Sequence, residues 1–437
     1  MLGGIKNILK FEIVIKKINL AIIGLGYVGL PLACEFAKKK SIVCFDVDKE
    51  RINQLLHGYD QTKEITTKEL KKVSSKILFT SNKKDLENVN CYILTVPTPI
   101  YKSKIPNLKP LTDASVMVGK LLKKGDIVIY ESTVFPGCTE EVCVPILEKS
   151  SNLKYNKEFF CGYSPERINP GIKKYKIKDI KKITSGSNNQ VSKFVDNLYK
   201  EIIEAGTFRA KSIKVAEAAK VIENTQRDLN IALINELSII FNRLNIDIKD
   251  VLNAAKTKWN FVPYYPGLVG GHCIGVDPYY LTYKAKKIGY NPKVILSGRY
   301  INNFMGKYVV KKLFNEMFDK NIRAKSTKIL LMGLTFKENC PDVRNSGVKI
   351  IYDELQKKCS HIDLFDPQAN DLEIKKIYKK SLLNKINSKF YDVIIVSVAH
   401  DQFKKMGIAK ISSFGKKNCL IYDLKHIFPS NKTSFRL

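Results

Sequence analysis

The residues best suited to covalent chemistry lie in one stretch, from Gly267 through Gly270, Gly271, His272 and Cys273 to Asp277 and Pro278. Its glycines let backbone approach a ligand closely, a single thiol sits just beyond them, and a carboxylate follows four residues later. A nucleophile with an acid–base partner is one reading. A Gly-rich turn holding a buried, inert cysteine is the other, since free cysteine is among the most buried residue types. Upstream, Lys220 and Asn224 are four residues apart in a segment, Ile213 to Leu244, that contains neither Pro nor Gly. That segment predicts a helix about 45 Å long, which puts both side chains on one face, where they could donate to a developing oxyanion. A solvated lysine beside a surface amide is the plainer alternative. Trp259, Phe261, Tyr264 and Tyr265 precede the cysteine stretch and either wall a sugar pocket or simply pack.

The elements that must position these groups are α/β units. A strand over Ile18–Ile23 runs into Gly24, Gly26 and Gly29, then a helix to about Lys40 and a strand over Ser41–Phe45 ending at Asp46. This is the G-x-G-x-x-G dinucleotide fingerprint in its required setting: a tight turn at the first glycine, pyrophosphate approach at the second, helix-on-strand packing at the third. Asp46, 22 residues after Gly24, is where a carboxylate binds the ribose 2′-hydroxyl and repels a 2′-phosphate, so NAD is expected rather than NADP. Apolar runs at 91–96 and 126–130 predict buried parallel strands followed by Thr98 and Thr133, placed either to meet a ligand or to cap a strand. A strand over 158–163 leads into the loop of Ser164, Pro165, Glu166, Arg167, Ile168, Asn169, Pro170 and Gly171, an irregular turn of the kind that more often carries a site than a surface ion pair. A second α/β array begins near Ser326, with strands at 328–334, 361–365, 393–398 and 420–424. It lacks the glycine fingerprint, but its first loop presents Lys337 and Arg344, suited to a phosphorylated ligand. The expected architecture is two Rossmann-like doubly wound domains joined by a long central helix and a helical middle part, divided as 1–210, 211–315 and 316–437.

With 437 residues the chain exceeds one ordinary core. Its 74 Lys and Arg against 42 Asp and Glu give a formal charge of +32, but the lysines are spread along the whole chain, with no aromatic–basic repeat or zinc-finger spacing. No nucleic-acid partner is therefore expected, and a diffuse positive field would still attract anionic substrates. The ten cysteines form no C-x-x-C pair and no Cys/His ligand spacing, so no metal is expected and the thiols read as reduced core residues of a cytoplasmic protein. The apolar run 20–34 imitates a signal or membrane anchor, but it carries three glycines and a proline and is too short to span a bilayer, so no membrane segment is expected. Residues 1–16 read as an extra arm or a misassigned start, with no function.

Taken together, Gly24–Ala33, Ser132–Thr133, Ser164–Gly171, Lys220 with Asn224, Gly270–Pro278, and Phe336–Lys337 with Arg344 follow the order and spacing of the UDP-glucose/GDP-mannose dehydrogenase family. The resemblance covers nearly the whole chain from about residue 18. Within the family it most resembles bacterial UDP-N-acetylhexosamine 6-dehydrogenases of surface-polysaccharide biosynthesis. The UDP-glucose branch usually carries Phe-Leu-Arg-Glu after its Ser-Pro-Glu and a Lys beside the Asp of the cysteine loop. Here Arg167–Pro170 and Val276–Asp277–Pro278 stand instead.

What the resemblance implies is a four-electron oxidation of a sugar C6 alcohol to a carboxylate with two NAD molecules in succession. Cys273 would trap the aldehyde as a thiohemiacetal and carry the later thioester. Lys220 and Asn224 would stabilise oxyanions, Asp277 would act as base or orient water, and Glu166 would assist proton transfer in hydrolysis. Thr133 is counted with both the catalytic and the cofactor groups. Gly24, Gly26, Tyr27, Val28, Gly29, Asp46, Arg51 and Thr98 would complete the NAD site. The UDP-N-acetylhexosamine would meet Glu166, Arg167, Lys220, Asn224, Tyr265, Gly270, Phe336, Lys337 and Arg344, in a site between the two α/β domains. His272 either touches substrate or only packs. A homodimer or higher homo-oligomer is implied. The competing readings are a UDP-glucose or GDP-mannose dehydrogenase, a two-electron NAD dehydrogenase with a structural Cys273, and a non-catalytic NAD-binding protein.

Overall fold

The computed structural model describes residues 17–168 and 176–437. The expected arm at 1–16, and Asn169, Pro170 and Gly171 of the proline loop, lie outside them. The chain forms two compact units, up to Lys220 and from Val221 onward.

The first unit is an eight-stranded sheet with strands β1 (Leu20–Ile23), β2 (Ile42–Phe45), β3 (Ile77–Thr80), β4 (Cys91–Leu94), β5 (Ile127–Tyr130), β6 (Phe160–Tyr163), β7 (Lys182–Gly186) and β8 (Thr207–Arg209). Their order is β3-β2-β1-β4-β5-β6-β7-β8. Pairing is parallel from β3 to β6. Such strands are covered on both faces and read as continuous apolar runs, and every residue of β1, β4, β5 and β6 is buried. The strand order reverses direction between β1 and β4, which opens the ligand crevice at their carboxyl ends. β7 breaks the pattern: it pairs antiparallel with β6, Gly162 opposite Gly186 and Tyr163 opposite Ser185, so its first residue, Lys182, comes to the carboxyl end of β6.

The second unit holds strands β9 (Lys328–Met332), β10 (His361–Phe365), β11 (Tyr391–Val396), β12 (Gly415–Asp423) and β13 (Phe435–Arg436), all parallel in the order β10-β9-β11-β12-β13. Its switch point lies between β9 and β11. Helices Lys293–Asp319 and Val348–Gln356 contribute Met305, Val309, Leu313, Ile351 and Leu355 to the core under this sheet.

The predicted long helix is present as Ile213–Arg243. Its buried face is rich in polar side chains. Glu217, Lys220, Asn224, Asp228, Asn235 and Ser238 recur at intervals of three, four and seven residues and are all buried, whereas Val215, Ile222, Leu233, Ile240 and Leu244 share the opposite face and are exposed. Among the described residues no helix is long and apolar enough to cross a membrane.

Candidate active site

In the first unit the fingerprint loop leaves β1 at Gly24, whose φ of +94° suits glycine. The three glycines serve different ends. A Cβ on Gly29 would lie 1.8 Å from the Gly24 carbonyl oxygen and 2.5 Å from Thr95 Oγ1, so this glycine is demanded by helix-on-strand packing. A Cβ on Gly26 would meet nothing within 4 Å. No protein atom explains that second glycine, and a ligand lying against the loop does. The following helix, Gly29–Ala37, has no side-chain cap and no acid in its first turn, leaving its N-terminal N–H groups for an anion. Asp46 is half-buried and ties the loop down, accepting from Leu25 N–H (2.7 Å) and Asp48 N–H (3.0 Å). Arg51 is buried, its Nε donating to the Leu25 carbonyl (2.9 Å) and its Nη2 to Asp60 (2.8 Å), while Nη1 has no described partner. Tyr27 and Val28 lie half-buried in the loop. This cradle fits a dinucleotide.

Thr98 and Thr133 follow β4 and β5 at the carboxyl edge, half-buried, and neither hydroxyl has a hydrogen-bond partner among the described residues, so neither caps its strand. Between them Ser132 Oγ donates to the Val96 carbonyl (2.6 Å), joining the two loops. Past β6, Glu166 is buried, and its Oε1 accepts from the N–H groups of Arg167 (2.6 Å) and Ile168 (2.5 Å). Its other oxygen lies 3.2 Å from Lys182 Nζ, which also sits 2.6 Å from Glu131 Oε2. Arg167 Nη1 donates to the Lys181 carbonyl (2.7 Å). Residue patterns gave no hint of the Glu131–Lys182 pair, because a lysine inside a lysine-rich tract reads as solvated; only the position of Glu131, at the end of a buried strand, was a signal.

Lys220 is 7% exposed with no hydrogen-bond or ion-pair partner among the described residues. An ammonium held so is unusual unless an anion arrives. One turn further along the same helix, Asn224 is 4% exposed and donates from Nδ2 to Asp277 Oδ2 (2.5 Å). An amide has two N–H groups, so this bond fixes its orientation and leaves one donor.

In the second unit Asp277 is the first residue of the helix Asp277–Lys287 and is 3% exposed. Its N–H donates to the Cys273 carbonyl (2.8 Å), as does that of Val276 (3.0 Å), closing a tight turn that carries the thiol. Cys273 is the exposed member of the ten cysteines, all of which lie among the described residues. Eight others are buried, and burial pushes the thiols of Cys34 and Cys91 up to about 12 and that of Cys359 to about 11, which leaves them protonated and inert. The turn is built to one shape: Gly271 has φ +81° and a Cβ there would strike the Phe336 ring at 2.7 Å, while a Cβ on Gly270 would lie 2.6 Å from the Asn345 carbonyl oxygen. Asn235, from the polar face of the long helix, holds the start of the stretch through both Gly267 N–H (2.8 Å) and Gly267 C=O (3.0 Å).

The loop after β9 completes this region. Asp342 accepts from His272 Nε2 (2.9 Å) and from Arg344 Nε (3.0 Å) and Nη2 (2.7 Å). Burial opposes its charge, but these donors hold the carboxyl well below the usual carboxylate range. His272 therefore has a structural partner, and the half-exposed Arg344 guanidinium is held in place. Lys337 Nζ stands over the Phe336 ring, 5.5 Å from its centroid. A cleft lined by Leu268, Phe336, Lys337, Ser397 and Lys425 lies at the switch point of this sheet. Of the aromatics before the cysteine, Phe261 and Tyr264 pack on Ile234, Ile248 and Leu252, while Trp259 and Tyr265 are exposed.

A dinucleotide cradle in one doubly wound unit, and an exposed thiol and a switch-point cleft in the other, define a dinucleotide-dependent enzyme of two doubly wound units. The family models for the NAD-binding, central and UDP-binding domains of the UDP-glucose/GDP-mannose dehydrogenase family match residues 18–203, 214–304 and 330–430, and the chain belongs to that family. It is an NAD-dependent nucleotide-sugar dehydrogenase. It is 56% identical to UDP-N-acetyl-D-glucosamine 6-dehydrogenase of Pseudomonas aeruginosa over 97% of this chain and 100% of that one. Against the enzyme of the same name from Salmonella typhi it is 54% identical, over 97% and 99%. Among solved structures it is similar to a UDP-D-ManNAc dehydrogenase from Pyrococcus horikoshii, at TM-score 0.87 and 27% identity over 94% of this chain and 96% of that one.

Proposed function

We propose that the protein oxidises the C6 alcohol of a UDP-N-acetylhexosamine, with the N-acetylglucosamine sugar favoured, to the uronic acid through a thioester on Cys273. The observation that carries this reading is the contrast among its thiols: Cys273 alone is exposed, on a turn whose next helix begins with a buried carboxylate bonded to Asn224. The choice of sugar is supported by similarity to the two enzymes named above. The product would supply uronic acid units for a surface polysaccharide such as capsule or O-antigen.

NAD, held by the fingerprint loop, Asp46, Arg51, Thr98 and Thr133, supplies the hydride acceptor for both oxidations. The Cys273 thiol adds across the aldehyde carbonyl, giving a thiohemiacetal whose tetrahedral carbon bears the second hydride. Loss of that hydride and of the hydroxyl proton leaves the thioester. Water, giving a proton to Glu166, then displaces the thiol and releases the carboxylate. Lys220 and the free N–H of Asn224 stabilise the oxyanion of each tetrahedral stage, and Asp277 fixes the amide and orients water. Arg167, Tyr265, Gly270, Phe336, Lys337 and Arg344 hold the nucleotide sugar, so that binding far from C6 positions the reacting carbon.

The three-part division at 211 and 316 follows these roles. We also infer a second copy of the chain against the exposed apolar face of the long helix, and a cytoplasmic location, for which ten cysteines in no disulfide are suited.

The deciding measurement is NADH formed per molecule of UDP-N-acetylglucosamine at limiting sugar and excess NAD. Two are expected. One would leave Cys273 without a covalent role, and none, with turnover of UDP-glucose or GDP-mannose instead, would replace the substrate.

A further inference from the structure

We propose that Lys182 and Glu131 are positioning residues for Glu166: one buried ammonium shared between two carboxylates governs the pH range of acid release. This rests on the reading that Glu166 takes the proton in thioester hydrolysis. The argument begins with strand direction. A parallel β7 would present its first residue at the far edge of the sheet, but β7 runs against β6, so Lys182 arrives beside the loop that carries Glu166. Further ties hold the two together, from Ser164 Oγ to the Ile183 carbonyl (2.7 Å) and from Arg167 Nη1 to the Lys181 carbonyl (2.7 Å).

The Lys182 side chain is 2% exposed and those of Glu131 and Glu166 are 0% and 10% exposed, so solvent hardly screens the cluster. Glu131 receives Lys182 Nζ on Oε2 and the Tyr199 hydroxyl on Oε1; Glu166 receives Lys182 on Oε2 and two backbone N–H groups on Oε1. All of these partners donate, an arrangement that suits two ionised carboxylates, yet there is one cation for both. The groups of the cluster are Glu131 just after β5, Glu166 in the loop after β6, Lys182 from β7 and Tyr199 from the helix Asn189–Lys200, with Cys91 of β4 beside Tyr199. Burial pushes the Glu131 carboxyl up to about 7, with Lys182 pulling it down and Glu166 pushing it further up. For Lys182, burial works to lower its proton affinity and is outweighed by Glu131 and then Glu166, leaving the amine above its ordinary value. A buried ion cluster gives little net stability over an apolar filling.

The test is the pH profile of NADH production from UDP-N-acetylglucosamine in the full-length protein and its variants. Lys182→Met removes the shared cation, so the ascending limb should move to higher pH by about one unit or more. Glu131→Gln keeps the shape but releases Lys182 to Glu166 alone, so the limb should move to lower pH. Opposite shifts support the proposal, because a merely structural role would lower rate and melting temperature in both variants without moving the limbs apart. Should Lys182→Met not fold, Glu131→Gln decides by itself: an unmoved limb, or one moved to higher pH, overturns the proposal. Glu166→Gln separates the underlying reading, since unchanged uronate production in that variant removes Glu166 from the reaction and the proposal with it.

Discussion

At the scale of single residues, what distinguishes the candidate nucleophile is exposure rather than chemistry. The same thiol occurs ten times, and burial silences eight of them. Cys273→Ser keeps the turn but substitutes a far weaker nucleophile, so uronate production should fall by about a thousand-fold or more while NAD affinity, measured by fluorescence titration, stays as in the wild type. Loss of NAD binding in that variant would mean that the turn shapes the cofactor site. The fingerprint glycines offer a second contrast. Gly26→Ala meets no protein atom and has no positive φ, so its melting temperature should match the wild type while NAD binding weakens about ten-fold or more. Gly29→Ala would drive a Cβ into the Gly24 carbonyl oxygen and should lower the melting temperature itself. Equal stability of the two variants would contradict the division of labour assigned to these glycines.

Among the elements, those buried on both faces were legible in the sequence. β1, β4 and β5 are uninterrupted apolar or β-branched runs and could be placed within about two residues, as could β9 after its first residue, Lys328. β3, β7 and β8 could not. β7 starts with Lys182 and carries Thr184 and Ser185, all buried, so its residue types describe a surface strand while its surroundings are those of a core. The same limit applied to the site. The four-residue spacing of Lys220 and Asn224 was visible; the contact of Asn224 with Asp277, 53 residues on, depends on tertiary packing that no local pattern reports. Element ends also carry a pH response. After β12, His426 donates from Nε2–H to the main-chain oxygen of Leu437 (2.9 Å), and Nδ1 is buried without a described partner. Burial lowers its pKa to about 4, with Arg436 acting in the same sense. A folded-state value below the unfolded one of about 6.5 means that this group's contribution is complete above 6.5 and fades as pH falls towards 4, by about 3 kcal/mol at most. His426→Asn, which tolerates the positive φ of 52° at this position, should therefore flatten the loss of urea stability between pH 7 and pH 4.5. An unchanged slope would assign that loss to other groups.

For the whole molecule, the long helix sets the terms of assembly. It presents Val215, Ile222, Leu233 and Ile240 on its exposed face, an apolar patch of the kind that marks an interaction surface. Ile222→Lys with Leu233→Lys should convert the dimer proposed above to monomer in light scattering at micromolar concentration, and a wild type that is already monomeric would remove the second copy from that face. The contrast among the thiols has a consequence for observing the fold at work. In the native molecule one sulfur should react with a disulfide reagent within seconds, Cys419, half-buried, more slowly, and the remaining eight only when the structure around them opens. Those eight are distributed over both units, at Cys34, Cys44, Cys91, Cys138, Cys143 and Cys161 in the first and Cys340 and Cys359 in the second. Counting sulfurs against time, with the labelled positions read by mass spectrometry, would thus give a separate opening rate for each half of the chain, without any probe being introduced.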